Sequence, residues 1–196
     1  MKSQRAAGQG SGAVTAKRPW GAVASLVGAA TFFVTVVILH LFQPGYEPTN
    51  QLISELALGR FGWAMFVAFA GLALAAFGIQ AAIGTLGGSR SLRYLLVAAA
   101  LFFLAAGIFP LGDTSEIHIT AIAIAFVLSV LAMYLFPSSA GRASFAAPRA
   151  VSWSLAAGVA VSVLLGQSML PMGIGQRLAA TFLLVWLVVL GWRVRP

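Results

Sequence analysis

The chain has no cysteine. That excludes a disulfide framework, a thiolate metal centre and a cysteine nucleophile. Charge is almost as scarce: 8% of residues are charged and only four are acidic, where a soluble domain carries about a quarter charged residues. In their place stand 60% hydrophobic residues and a mean hydropathy of +0.96, so the solvent of most of this chain is lipid. The formal charge of +8 does not point to nucleic acid. The cations are dispersed between apolar segments, with no basic run interleaved with aromatics.

A membrane-crossing helix needs about 20 mostly apolar residues. Six such stretches are expected, over 20–42, 61–83, 94–110, 114–136, 150–170 and 178–192, forming one all-α bundle over residues 20–192 with no soluble domain. Residues 1–19, rich in Gly, Ala and Ser with Lys2, Arg5, Lys17 and Arg18, read as a disordered basic cytoplasmic tail; residues 193–196 are a second short cytoplasmic tail. The first span is too long for a signal-peptide core and no small-x-small cleavage site follows it, so it is expected to be retained. With the amino terminus inside, ten cations fall on the inner face and only Arg60 and Arg177 on the outer one. This satisfies the positive-inside rule for an even number of spans and places both termini in the cytoplasm of an inner-membrane, multi-pass protein. Pro44, Pro48, Pro110, Pro137, Pro148 and Pro171 are expected at or beyond helix ends. Small residues four apart, Ala24/Gly28, Gly71/Ala75 and Gly158/Ser162, permit close helix approach, and Trp20, Trp63, Trp153 and Trp192 lie where interfacial anchors belong.

The one long polar interruption near the start is Gln43–Trp63. Here a turn at Gly45–Pro48 precedes a short extracytoplasmic helix over Asn50–Leu58, capped by Asn50, ended by Gly59 and turning Leu52, Ile53 and Leu56 toward lipid. This run, PGYEPTNQLISELALGRFGW, together with FPLGDTSEIHITAIAIAF and GIGQRLAATFLLVW, resembles the membrane family catalogued as domain of unknown function 998. The resemblance extends over residues 20 to 192. It rests on Asn50, Ser54, Glu55 and Leu56 in the loop, on Phe109, Pro110, Asp113 and His118 at the third and fourth spans, and on Gly175, Gln176 and Arg177. It implies a six-helix bacterial inner-membrane protein and brings no established activity.

On the expected topology the outer face gathers all four acids, Glu47, Glu55, Asp113 and Glu116, with His40 and His118 and the two outer arginines. Asp113 and Glu116 fit a capping box at the start of the fourth helix. Arg177, expected at the amino-terminal end of the sixth helix, is opposed by the helix dipole. It calls for a carboxylate partner among Glu55, Asp113 and Glu116, or for an anionic ligand. Asn50, Ser54, Glu55, Asp113, His118 and Arg177 are therefore the candidate outer-face cluster, expected to bind a membrane lipid, such as an anionic lipid, or a small molecule, with no cofactor. Two other classes stay open. A membrane hydrolase would hold a metal on His118, Asp113 and Glu116, although no His-Glu-x-x-His spacing occurs and His is found only twice. A proton-coupled transporter would relay through Glu55 or His118, with Gln80, Ser129 and Gln167 the polar groups available in the spans. A haem held between His40 and His118 is the weakest of these readings.

Overall fold

The computed structural model describes residues 20–194; the tail read above at 1–19, and residues 195–196 of the one read at 193–196, lie outside the described residues, while Arg193 ends the sixth helix. The six spans are α1 (Trp20–Phe42), α2 (Ala64–Thr85), α3 (Arg90–Ile108), α4 (Ser115–Ser139), α5 (Arg149–Ser168) and α6 (Met172–Arg193). All six are long and apolar enough to cross a membrane. No strand occurs among the described residues, and two short 3-10 helices, Ile53–Leu58 and Gly141–Ala146, sit in the connections.

Consecutive helices pack against one another, and α6 returns to α1, so the bundle closes into a ring. In lipid no hydrophobic effect draws helices together, and close backbone approach must do so instead. Glycine supplies it. A Cβ on Gly28 would lie 2.6 Å from the Ala75 nitrogen, and one on Gly71 would lie 2.7 Å from the Gly28 carbonyl oxygen. Gly21 and Gly78 repeat the arrangement one heptad away. The α5–α6 pair meets at Gly166 and Gly175, whereas Gly158 receives the ring of Phe182. Buried hydroxyls tie further pairs: Ser25 donates to the Leu187 carbonyl (3.3 Å), and Trp186 Nε1 donates to Ser152 Oγ (3.1 Å).

Four boundaries differ from the sequence reading in ways that matter. Helix α3 starts at Arg90, where Ser89 Oγ caps the Leu92 N–H (3.3 Å), and Arg93 stays half-buried by donating Nε–H to Gln80 Oε1 (3.1 Å). Helix α6 starts at Met172 directly after Pro171, because proline is suited to a helix start; Arg177 thus lies in its second turn. Pro137 is inside the last turn of α4 rather than beyond it. There its missing N–H costs a single bond close to the helix end. Finally, α4 is preceded by Thr114, with Ser115 Oγ bonded to Gly112. The expected Asp113–Glu116 capping box is absent, and both carboxylates point outward, exposed.

At the end of the bundle opposite the 43–63 loop, two connections pin each other: Ser89 N–H donates to the Ser139 carbonyl (2.7 Å) and Arg142 N–H to the Leu86 carbonyl (3.0 Å). Trp153 adds to this closure by stacking on Tyr134 (centroids 5.3 Å apart) and donating Nε1–H to its carbonyl (3.0 Å). Helices α4 and α5 are therefore joined at this end. Toward the loop end they part.

Candidate functional site

The loop end is organised by Arg177. Its side chain runs back along α6 and donates Nη1–H to the Gln51 carbonyl (2.8 Å) and the Gly173 carbonyl (2.9 Å). Nη2 donates to His40 Nε2 (3.1 Å) and to the Tyr46 hydroxyl, with the guanidinium 5.5 Å from the centroid of the Tyr46 ring. None of these acceptors is a carboxylate, so the expected ion pair with Glu55, Asp113 or Glu116 is replaced by neutral oxygen and nitrogen lone pairs. The physical reason lies in the loop. Its turn-rich, irregular backbone presents carbonyls that need donors, and a planar guanidinium can satisfy several acceptors at once.

The protonation pattern follows from the partners. His40 Nδ1 lies 2.7 Å from the Val36 carbonyl, an acceptor, so Nδ1 carries the proton and Nε2 offers its lone pair to Arg177. Tyr46 packs edge-on against His40 (centroids 4.9 Å apart, 89°) and its hydroxyl donates to the Leu52 carbonyl (2.7 Å). Burial pushes the Tyr46 phenol above its ordinary 10.0, and the nearby guanidinium only partly opposes this. The phenol therefore stays neutral and keeps its donor.

A second set of bonds fastens the loop to α6. Ile53 N–H donates to Gln176 Oε1 (2.6 Å). Ile174 N–H, one of the donors left free at a helix start, is taken by the Thr49 carbonyl (3.2 Å). A Cβ on Gly173 would lie 2.5 Å from the Gln51 carbonyl oxygen, so this contact requires glycine. Glu55 looks inward to its own segment, accepting from Leu52 N–H (2.8 Å) and Gln51 Nε2 (3.3 Å).

The loop helix is shorter than expected and differently turned. It starts at Ile53 after Leu52, and Asn50 is an exposed turn residue whose side chain caps nothing. Ile53, Ser54 and Leu56 are buried against the bundle instead of facing lipid. Of the six cluster candidates, Ser54, Glu55 and Arg177 thus share the loop–α6 junction, whereas the side chains of Asn50 and Asp113 are exposed and His118 lies elsewhere.

His118 belongs to another junction. It is 1% exposed, and its Nδ1 donates to the Ala106 (2.8 Å) and Phe109 (3.0 Å) carbonyls, which end α3. Its ring stands edge-on to Phe69 (5.4 Å), and Nε2 has no hydrogen-bond partner. Among the described residues no three His, Asp or Glu side chains converge as metal ligands, so His118, Asp113 and Glu116 do not assemble the centre a metal hydrolase requires. His40 Nε2 is engaged by Arg177 and is not free for haem iron.

The sequence reading missed the space beside this junction. Where α4 and α5 part, a cleft of about 590 Å³ runs along them to the start of α6, with Leu52 of the loop at its edge. Its walls are apolar, including Ile122, Phe126, Val130, Val159 and Val163, and its polar lining consists of Gln167 and Gln176. Val127 and Leu164, 60% and 66% exposed, leave it open on the face turned away from the bundle. A separate cavity of about 20 Å³ lies inside, bounded by Ser54 and Gln176 and sharing Ile122 and Phe126 with the cleft. Only the contrast between polar Gln167 and Gln176 and their apolar neighbours hinted at it in the sequence.

No curated protein matches the chain, and no solved structure matches it. A family model described as a protein of unknown function, DUF998, matches residues 26–193. With that match reaching into all six helices, the chain belongs to the DUF998 family of proteins of unknown function.

Proposed function

We propose that the protein is a bacterial inner-membrane lipid-binding protein with both termini cytoplasmic, and that the lipid lies in the cleft between α4 and α5 beneath the outer loop. The cleft itself carries this reading. Its volume, about 590 Å³, falls in the range of ligand sites, roughly 300–1,000 Å³. Its long apolar walls suit a hydrocarbon chain, and its open side would face the bilayer, from which a chain could enter without crossing water. Orientation rests on the ten-to-two distribution of cations in the sequence, which puts the 43–63 loop and Arg177 outside. Because Arg177 is already engaged by acceptors of the protein, the bound molecule meets the cleft lining rather than a free cation.

Native mass spectrometry of protein purified in a mild detergent tests this reading. One retained lipid per chain is expected in the wild type, and its loss in Ala123→Phe and Ala160→Phe, which project a ring from the cleft wall. Wild-type protein that carries no lipid and takes none up on reconstitution, or phenylalanine variants that retain it fully, would overturn the proposal.

A further inference from the structure

We infer that the molecule in the cleft is an uncharged lipid whose carbonyl or hydroxyl oxygen is held by the side-chain amide of Gln176; this rests on the lipid-binding reading above. The Ile53 N–H can only donate, and it lies 2.6 Å from the Gln176 side chain. The atom it meets must be Oε1, so the orientation of the amide follows from chemistry. The end left over is Nε2, with two N–H donors and no hydrogen-bond partner among the described residues.

Gln176 lines both the cleft and the small inner cavity. On the cavity side stands Ser54, 2% exposed, whose hydroxyl also makes no hydrogen bond among the described residues. Two polar groups, a donor pair shared by cleft and cavity and a hydroxyl on the cavity side, therefore lack partners among the described residues. Among the described residues the one buried side-chain nitrogen or oxygen without a partner is His118 Nε2, so these two groups reach open space; in a cleft filled by lipid rather than water, their partner must come from the bound molecule. The missing partner is an acceptor, which either Nε2 or the Ser54 hydroxyl can meet.

Charge narrows the class. No charged residue is among the described residues lining the cleft. Arg177, next along α6, has its guanidinium turned to Gln51, Gly173, His40 and Tyr46. An anionic headgroup drawn to Gln176 would lose its hydration with no cation in return, whereas a neutral ester carbonyl or hydroxyl would lose little. The same amide also anchors the loop through Oε1, so headgroup capture and loop docking meet at one side chain.

The experiment compares two lipids with identical chains, dioleoylglycerol and dioleoylphosphatidylglycerol, titrated into delipidated full-length protein by native mass spectrometry at about pH 8. Wild type is expected to prefer dioleoylglycerol by tenfold or more. Gln176→Glu keeps an acceptor for Ile53 N–H but loses the donor pair, so it should weaken dioleoylglycerol about tenfold, the value of one buried hydrogen bond, while the loop stays docked. Ser54→Ala, which leaves the loop anchors intact, should weaken it several-fold. Equal or tighter binding of the phosphatidylglycerol by wild type, or undiminished dioleoylglycerol binding by both variants, would overturn this inference and leave lipid binding standing. Wild type that binds neither lipid would remove the lipid reading as well. A dimer mass with the cleft covered would assign it to a second copy of the chain and reject both.

Discussion

Replacing Arg177 by alanine should release the 43–63 loop, and the structure sets the size of the effect. Four acceptors lose a donor. The Gly173 carbonyl lies one helical turn before Arg177 within α6, so it keeps its helical partner and its loss counts for little. The Gln51 carbonyl, His40 Nε2 and the Tyr46 hydroxyl remain, at about 1 kcal/mol each for a net hydrogen bond, somewhat less where the guanidinium is half exposed to water. A cost of about 2–3 kcal/mol follows, with the Gln176–Ile53 and Thr49–Ile174 bonds still in place. The chain offers a clean reporter because it contains no cysteine: Ser54→Cys introduces a single thiol at a site 2% exposed, reachable by a water-soluble maleimide only when the loop lifts. If opening and closing are fast relative to labelling, the rate follows the open population. Arg177→Ala in this background should raise it roughly 30- to 140-fold, at about 1.4 kcal/mol per decade. Arg177→Lys, with three donors but no planar fork, should fall between. Equal labelling with and without Arg177 would show that the guanidinium does not hold the loop, and would refute the argument.

Other outcomes follow from the same geometry. Because burial raises the Tyr46 phenol above 10.0, the folded state favours its neutral form; the associated stability is fully present below that pH and is lost as pH rises through the folded-state value. Thermal unfolding followed by tryptophan fluorescence should therefore show an alkaline loss in wild type above about pH 10 that Tyr46→Phe lacks, and a loss that persists unchanged in the phenylalanine variant counts against it. Gly28→Ala puts a methyl 2.6 Å from the Ala75 nitrogen, forcing α1 and α2 apart at a cost of about 1–3 kcal/mol, visible as a lowered unfolding temperature; an unchanged temperature would mean the seam is slack. His118→Ala strips the donor from two carbonyls at the end of α3 and leaves a cavity, costing about 2–4 kcal/mol in the same assay. His118→Gln should recover part of this if its amide reaches those carbonyls, and recovery by leucine alone would point to packing instead.

The spans were legible because twenty-odd apolar residues in a row have few other fates, and because backbone groups in lipid must be satisfied within the helix. Their ends were less so. Hydropathy places the start of α6 at Leu178, but Pro171 and the loop carbonyls start it at Met172. Gly28 and Gly71 stood out as small residues, yet nothing local paired them with each other. Arg177 was recognisable as a cation out of place. Its solution was not, since the acceptors come from Val36's neighbour His40 in α1, from Tyr46 and from a backbone carbonyl, and a carbonyl has no signature in a sequence.

By itself the sequence determined the solvent, the number of crossings and the distribution of charge across them, because each depends on composition summed over a segment. Tertiary structure alone decided that the loop folds inward over α6, that its arginine is satisfied by neutral acceptors, and that α4 and α5 are joined at one end and apart at the other. The first two outcomes depend on contacts between residues more than a hundred positions apart, such as Arg177 with Gln51 and Gln176 with Ile53, and the third on contacts between connections, such as Ser89 with Ser139. Local propensity carries no information about such pairs.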